Sequence, residues 1–381
     1  MQYKYLIVGI LILVVVAICF RNYLPNLSLS NDESKYIVNN LEKELAECDK
    51  AIELNPNNDK AYFKKGNILA KLSKYEVALE AYNKAIEINP DNPDIYNNQG
   101  GIFLTLNEYK LAIKAYDKAI KLNPNDFEVY TNRGAALRRL RKYELALESY
   151  KRAIEFNPNY YNAYFNKAIV LEELGKYELA LEAYDKAIEL NPSDPEVYLK
   201  KGNIFKSLGK YDVAFKFYDK AIKLNKNFTE SYVNKGNILF ELGKYDQALE
   251  LYDKAIKLAP NDFEIYMNQG AALHKLGKYN LALNSYEKAI ELEPNNSVVY
   301  TNQGSIFYEL GKYKLSIEAY DKAIELNPKH FNAYFNKGLA LEELGKYDLA
   351  LEVYNKALEL EPDNLEVKAQ VQAILDMQKT K

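Results

Sequence analysis

Asparagine returns at a fixed interval of 34 residues. It stands at Asn98, Asn132 and Asn166, then at Asn234, Asn268, Asn302 and Asn336, with Lys64 and Lys200 at the two interrupted places. A carboxamide both donates and accepts hydrogen bonds, so such a column suits the main chain of an extended peptide. Asparagine is a mediocre helix former, and its recurrence in what reads as helix needs a reason. Duplication is the alternative reason, since Asn162-Ala163-Tyr164-Phe165-Asn166-Lys167 returns nearly unchanged as Asn332-Ala333-Tyr334-Phe335-Asn336-Lys337. A second candidate is the basic run Arg138-Arg139-Leu140-Arg141-Lys142, with Arg133 nearby. There Arg133, Arg138 and Arg139 would contact an anion, either an acidic partner or a phosphate. The plainer alternative is a solvated turn.

Other chemistry is scarce. His274, His330, Cys19 and Cys48 are the only histidines and cysteines in 381 residues. None has metal-ligand spacing, so neither a metal nor a cofactor is expected, and two cysteines exclude a disulfide framework. Gly-Lys is followed by Tyr, never by Ser or Thr, which excludes a phosphate loop. Glu172 or Glu173 could act as a lone acid, but nothing around them supplies the rest of a catalytic set, and no enzyme activity is expected. A formal net charge of −3 gives no field for nucleic acid.

The chain that must position these residues is periodic throughout. With residue 59 as position 1, nine repeats of 34 residues run from Asp59 to Asn364: 59–92, 93–126, 127–160, 161–194, 195–228, 229–262, 263–296, 297–330 and 331–364. Positions 4, 17 and 24 are tyrosine in every repeat, position 14 is leucine and position 27 alanine. Those columns explain a composition with 34 Tyr and no Trp. Position 8 is glycine except for Ala168, and position 20 is alanine except for Ser316.

Each repeat reads as helix, turn, helix, over about positions 2–14 and 18–30. Gly-Lys-Tyr, as in Gly175-Lys176-Tyr177, supplies a left-handed helix stop between them. Proline closes the repeat, as in Asn89-Pro90 and Asn191-Pro192, because it cannot continue a helix. Small residues at 8 and 20 let the two backbones approach, with Tyr at 4 and 24 filling the space around them. Apolar residues at 10, 11, 14, 21, 28 and 30 complete a stripe that one hairpin cannot bury alone, so stacked hairpins are expected.

At these residues the sequence resembles the tetratricopeptide-repeat (TPR) family. The resemblance implies an all-α solenoid, a right-handed superhelix of antiparallel helix pairs, whose groove binds a protein or an extended peptide. Positions 2, 6, 9 and 13 of the first helix would line that groove. The asparagine column is similar to the one in the TPR part of O-linked N-acetylglucosamine transferases, although no transferase domain is present here. The carboxylate clamp of chaperone-binding members does not fit, because no repeat has Lys at position 5. Two departures stand out. Position 7 is Lys, Gln or Arg where the family has Leu, and its polar heads are expected to reach water. Lys226 replaces proline at position 32 of the fifth repeat, so that joint is expected to be set differently.

Residues 1–24 read as a membrane anchor. Leu6 to Phe20 is uncharged and apolar, and Lys4, Arg21, Tyr3, Tyr5 and Tyr23 flank it, so that residues 3–23 would engage the bilayer. A cleaved signal peptide is the rival reading, but Ala17-Ile18-Cys19-Phe20 lacks the small residues of a cleavage site. Lys4 favours a cytoplasmic N-terminus with the repeats on the other side, and Arg21 pulls the opposite way. Residues 25–58 then form a linker and a capping helix whose apolar face is Ile37, Leu41, Leu45, Cys48 and Ile52. Residues 365–381 form a second cap, burying Val367, Val371 and Ile374. The expected function is a membrane-tethered protein-interaction scaffold, with a self-associating structural array as the alternative.

Overall fold

The structure, a computed structural model, describes residues 31–379. The anchor expected over residues 1–24 lies outside the described residues. Among the described residues every regular element is a helix, and no helix is long and apolar enough to cross a membrane. The chain divides between Val197 and Tyr198 into two compact bodies.

In the first body, helix α1 (Asn31–Leu54) buries Leu41 and Cys48 against Ile68 of the first repeat. Helix pairs then follow at the expected interval. The first repeat has Asp59–Lys71 and Tyr75–Ile88, and the sixth, in the second body, has Thr229–Glu241 and Tyr245–Leu258. Both helices begin one residue earlier than the periodicity suggests. For several first helices the reason is a side-chain cap. Asn58 accepts from the amide of Ala61, Asp126 from those of Glu128 and Val129, and Asn296 from those of Val298 and Val299. The last helix, Leu365–Lys379, buries Val367 and Ile374 against the ninth repeat, with Val371 packed beside them.

The turn between paired helices puts one residue in the left-handed region. Gly175 has φ +70° and Gly243 +71°, whereas the first three repeats place Ser73, Asn107 and Arg141 there at +58°, +61° and +56°. The turn closes identically in either case. Lys142 N donates to Leu137 O at 2.9 Å, as Lys244 N does to Leu239 O at 2.8 Å.

Between the helices lies a tyrosine. The ring at position 24 is at most 1% exposed in every repeat, from Tyr82 to Tyr354. It packs against position 8, which is glycine in all repeats but the fourth. A Cβ built on Gly236 would sit 2.7 Å from Tyr252 Cε1, and one on Gly66 only 2.4 Å from Tyr82 Cε1. Fully burying a side chain of that size contributes roughly 1.5–3 kcal/mol. Alanines at 20 and 27 are sealed around it, as are the residues at position 3, such as Ile95, Val129 and Ile265.

The tyrosine at position 4 does not share this role, contrary to the expectation that both rings fill the interior. It is half-buried in most repeats, and in three of them its hydroxyl reaches back to the residue at position 32 of the preceding repeat. Tyr96 donates to Pro90 O at 3.0 Å and Tyr266 to Pro260 O at 3.2 Å. Tyr232 makes the same bond to Lys226 O at 3.2 Å. A carbonyl accepts whether or not its residue is proline, so replacing proline by Lys226 leaves this bond intact, and the expected difference at that joint is not seen in it.

Replacing Arg141 by glycine is expected to raise stability by up to about 1 kcal/mol, because a left-handed side chain costs roughly 1–2 kcal/mol and glycine returns part of that as chain entropy. Gly243→Ala should lower stability by a similar amount. Urea unfolding followed by circular dichroism reads both, and equal midpoints for Arg141→Gly and the parent would refute the strain.

Candidate functional site

The buried tyrosine does more than fill space. In six repeats its hydroxyl is received by a polar side chain of the first helix. Tyr82 donates to Asn67 Oδ1 at 2.7 Å, Tyr218 to Asn203 at 2.8 Å and Tyr252 to Asn237 at 2.8 Å. These acceptors all occupy position 9. Each also accepts from the asparagine at position 6 of the next repeat: Asn98 to Asn67 at 2.8 Å, Asn234 to Asn203 at 3.1 Å and Asn268 to Asn237 at 3.3 Å. One oxygen thus ties the core of one repeat to the face of the next. Burial pushes the Tyr82, Tyr218 and Tyr252 phenols above their ordinary range, which keeps them neutral donors.

In two repeats with an apolar residue at position 9, another group receives the hydroxyl. Ile169 and Leu339 stand there in the fourth and ninth repeats, and Tyr184 turns instead to Glu172 at 2.8 Å, as Tyr354 turns to Glu342. Burial first, then the neighbouring carboxylate, raises both phenols.

A second set of inter-repeat bonds runs through position 7. Lys65 meets Asp49 at 2.7 Å, Arg133 meets Asp117 at 2.7 Å, and Lys235 meets Asp219 at 2.6 Å. Gln269 donates to Asp253 at 2.7 Å and Gln99 to Asn83 at 2.8 Å. In these repeats the polar heads expected to reach water pair instead with position 25 of the preceding repeat. That Asp49 plays this part shows the end of α1 behaving as a second helix.

Family models of the TPR repeat match residues 66–106, 100–141, 171–209, 202–243 and 236–277, and tetratricopeptide-repeat models match 47–80, 127–160, 149–182, 263–296 and 301–364. Together they cover well over half of the chain. It belongs to the tetratricopeptide-repeat family. Among solved structures, the C-terminal part of a TPR repeat-containing protein from Cytophaga hutchinsonii is 21% identical over 65% of this chain and 99% of its own, with a TM-score of 0.52. That likeness shows the fold. YrrB, described as a TPR protein with an unusual peptide-binding site, is 27% identical over 49% of this chain and 96% of its own, TM-score 0.42. MamA is 28% identical over 44% and 92%, TM-score 0.41. No curated protein sequence matches the chain.

In this TPR array the seven asparagines of the column are all half-buried at equivalent places, three in the first body and four in the second. Besides the three already described, Asn132 donates to Asn97 Oδ1 at 3.1 Å and Asn166 turns back to Asn162 O of its own helix at 2.9 Å. The arginines do not gather into one anion site. Arg133 lines an open cleft of about 250 Å³ with Asp117, Glu148, Ser149 and Arg152, where the charges balance. Its Nη1 also donates to Ser149 Oγ at 2.8 Å. Arg138 reaches forward to Glu173 at 2.8 Å, and Arg139 is exposed. Of the histidines, His330 precedes the helix Phe331–Glu343, and His274 lies 3.5 Å from Glu309, which also accepts from Tyr279 at 2.6 Å.

The position-9 acceptors were not singled out from sequence. The signal was present in Asn67, Asn203 and Asn237, but only three repeats carry it, and a column is harder to see when broken.

Asn237→Ala should destabilise the protein by roughly 1–3 kcal/mol, the cost of stranding the buried Tyr252 hydroxyl. Adding Tyr252→Phe to that variant should recover part of the loss. A double-mutant cycle by urea unfolding measures it, and strict additivity would show the two groups to be uncoupled.

Proposed function

We infer that this TPR protein is a non-catalytic scaffold that binds an extended segment of another protein along the asparagine column. The observation carrying this reading is the way the amides are held. A carboxamide has two N–H groups and two acceptor lone pairs. The bonds from Asn98, Asn234 and Asn268 to the preceding repeat use one N–H each and fix the plane of the amide. The rest of each amide stays at the half-buried face with its orientation set in advance, which lowers the ordering cost of binding a main chain. Asparagines kept only by duplication would need no such support.

Peptides selected on the full chain from a phage-displayed random library should bind an Asn234→Ala, Asn268→Ala, Asn302→Ala variant at least about tenfold more weakly, two or more lost bonds being worth that much. Fluorescence anisotropy reads the affinity, and circular dichroism checks that the helices persist. Unchanged affinity would remove the column from the interface.

The scaffold is read as tethered to a membrane through residues 3–23, on the strength of the Leu6–Phe20 run alone. The full chain should therefore stay in the membrane pellet after alkaline carbonate extraction, and a chain starting at residue 25 should not. Release of the full chain by carbonate would refute the tether.

A further inference from the structure

The relay from tyrosine to position 9 to the next asparagine fails in the third repeat. Position 9 is Ala135, which has a methyl where Asn67, Asn203 and Asn237 have an amide. The groups that would have met that amide are left behind. Tyr150 is fully buried, and its hydroxyl has no hydrogen-bond partner among the described residues. Asn166, the next asparagine in the column, has turned back to its own helix. Position 12, which supplies the acceptors Glu172 and Glu342 in the fourth and ninth repeats, is here Arg138, a donor. The Nη1 of Arg138 is given to Glu173 at 2.8 Å, while its Nε is buried without an acceptor.

Two donors, Tyr150 O–H and Arg138 Nε–H, are therefore buried together where the first, fifth and sixth repeats provide an asparagine oxygen, and the oxygen is missing. We propose that the place vacated at Ala135 is a seat for a carboxylate of the bound segment, an Asp or Glu side chain whose oxygen takes the part Asn67 Oδ1 plays in the first repeat. This rests on the reading that an extended peptide lies along the asparagine column, and it adds a requirement for an acid opposite the third repeat. A guanidinium offers five N–H donors, so the bond to Glu173 does not exhaust Arg138. A hydrogen bond to a charged acceptor is about twice as strong as a neutral one, so the seat prefers a carboxylate to an amide. It also accounts for the unpartnered hydroxyl, which otherwise costs stability for nothing.

The test uses two fluorescein-labelled pools of random decapeptides, one with Asp and Glu among the randomised residues and one with Asn and Gln in their place. Binding is measured by anisotropy to the full chain in detergent. The acid pool should bind wild type about tenfold or more tighter than the amide pool. Ala135→Asn fills the seat from within, so it should bring that ratio close to one and raise the melting temperature together, and Arg138→Gln should abolish the ratio as well. A wild-type ratio of one overturns the seat while leaving the peptide-binding reading intact. A ratio that survives Ala135→Asn also overturns it. If neither pool binds wild type, the seat and the groove reading fall together.

Discussion

The fold depends on one close contact repeated along the chain, a tyrosine ring lying on a glycine of the facing helix. The ring occupies the space of a Cβ, so position 8 has almost no freedom, and the two helices of a pair are brought close enough for alanines to seal the remaining interior. Ala168 is the sole exception among the nine repeats, and it faces Tyr184, whose hydroxyl goes to Glu172 rather than to position 9. The ring reaches across the hairpin, and in six repeats its hydroxyl meets a polar side chain of the first helix. Packing and surface chemistry are thus set by the same side chain.

That connection explains which parts of the molecule were legible in the sequence. The period, the order of helices and the small-residue positions follow from columns that never vary, such as Tyr82 to Tyr354 and Ala85 to Ala357. The separate roles of the tyrosines do not. Columns 4 and 24 are equally invariant, yet Tyr252 is sealed in the core and Tyr266 lies half-buried, donating to a backbone carbonyl. Invariance under duplication carries no information about depth. Position 7 misled for a related reason. A lysine in a helix reads as a solvated head, and the aspartate that receives Lys235 lies sixteen residues back, on another helix face. Only the stacking of repeats brings the two together.

The asparagine column was legible as a pattern but not as an arrangement. Its members differ in what they hold. Asn98, Asn234 and Asn268 are braced by the preceding repeat, Asn132 leans on Asn97, and Asn166 folds back on its own helix. These differences track position 9 and its neighbours, where the repeats have diverged most. The polar face of the array therefore varies in the places where the copies disagree, on a scaffold kept uniform by the places where they cannot.

The bond between positions 7 and 25 has a mechanical consequence. Lys65, Arg133, Lys235 and Lys337 each meet an aspartate across a joint, but at the joint between the third and fourth repeats both places are lysine, Lys167 and Lys151. Lys151 turns to Glu155 on its own helix instead. That joint lacks this latch, and the Arg138–Glu173 pair spans it instead. Each of these ties spans a single joint, so exchanging one loosens one seam and leaves the hairpins further along untouched, as expected where repeats hold only their neighbours.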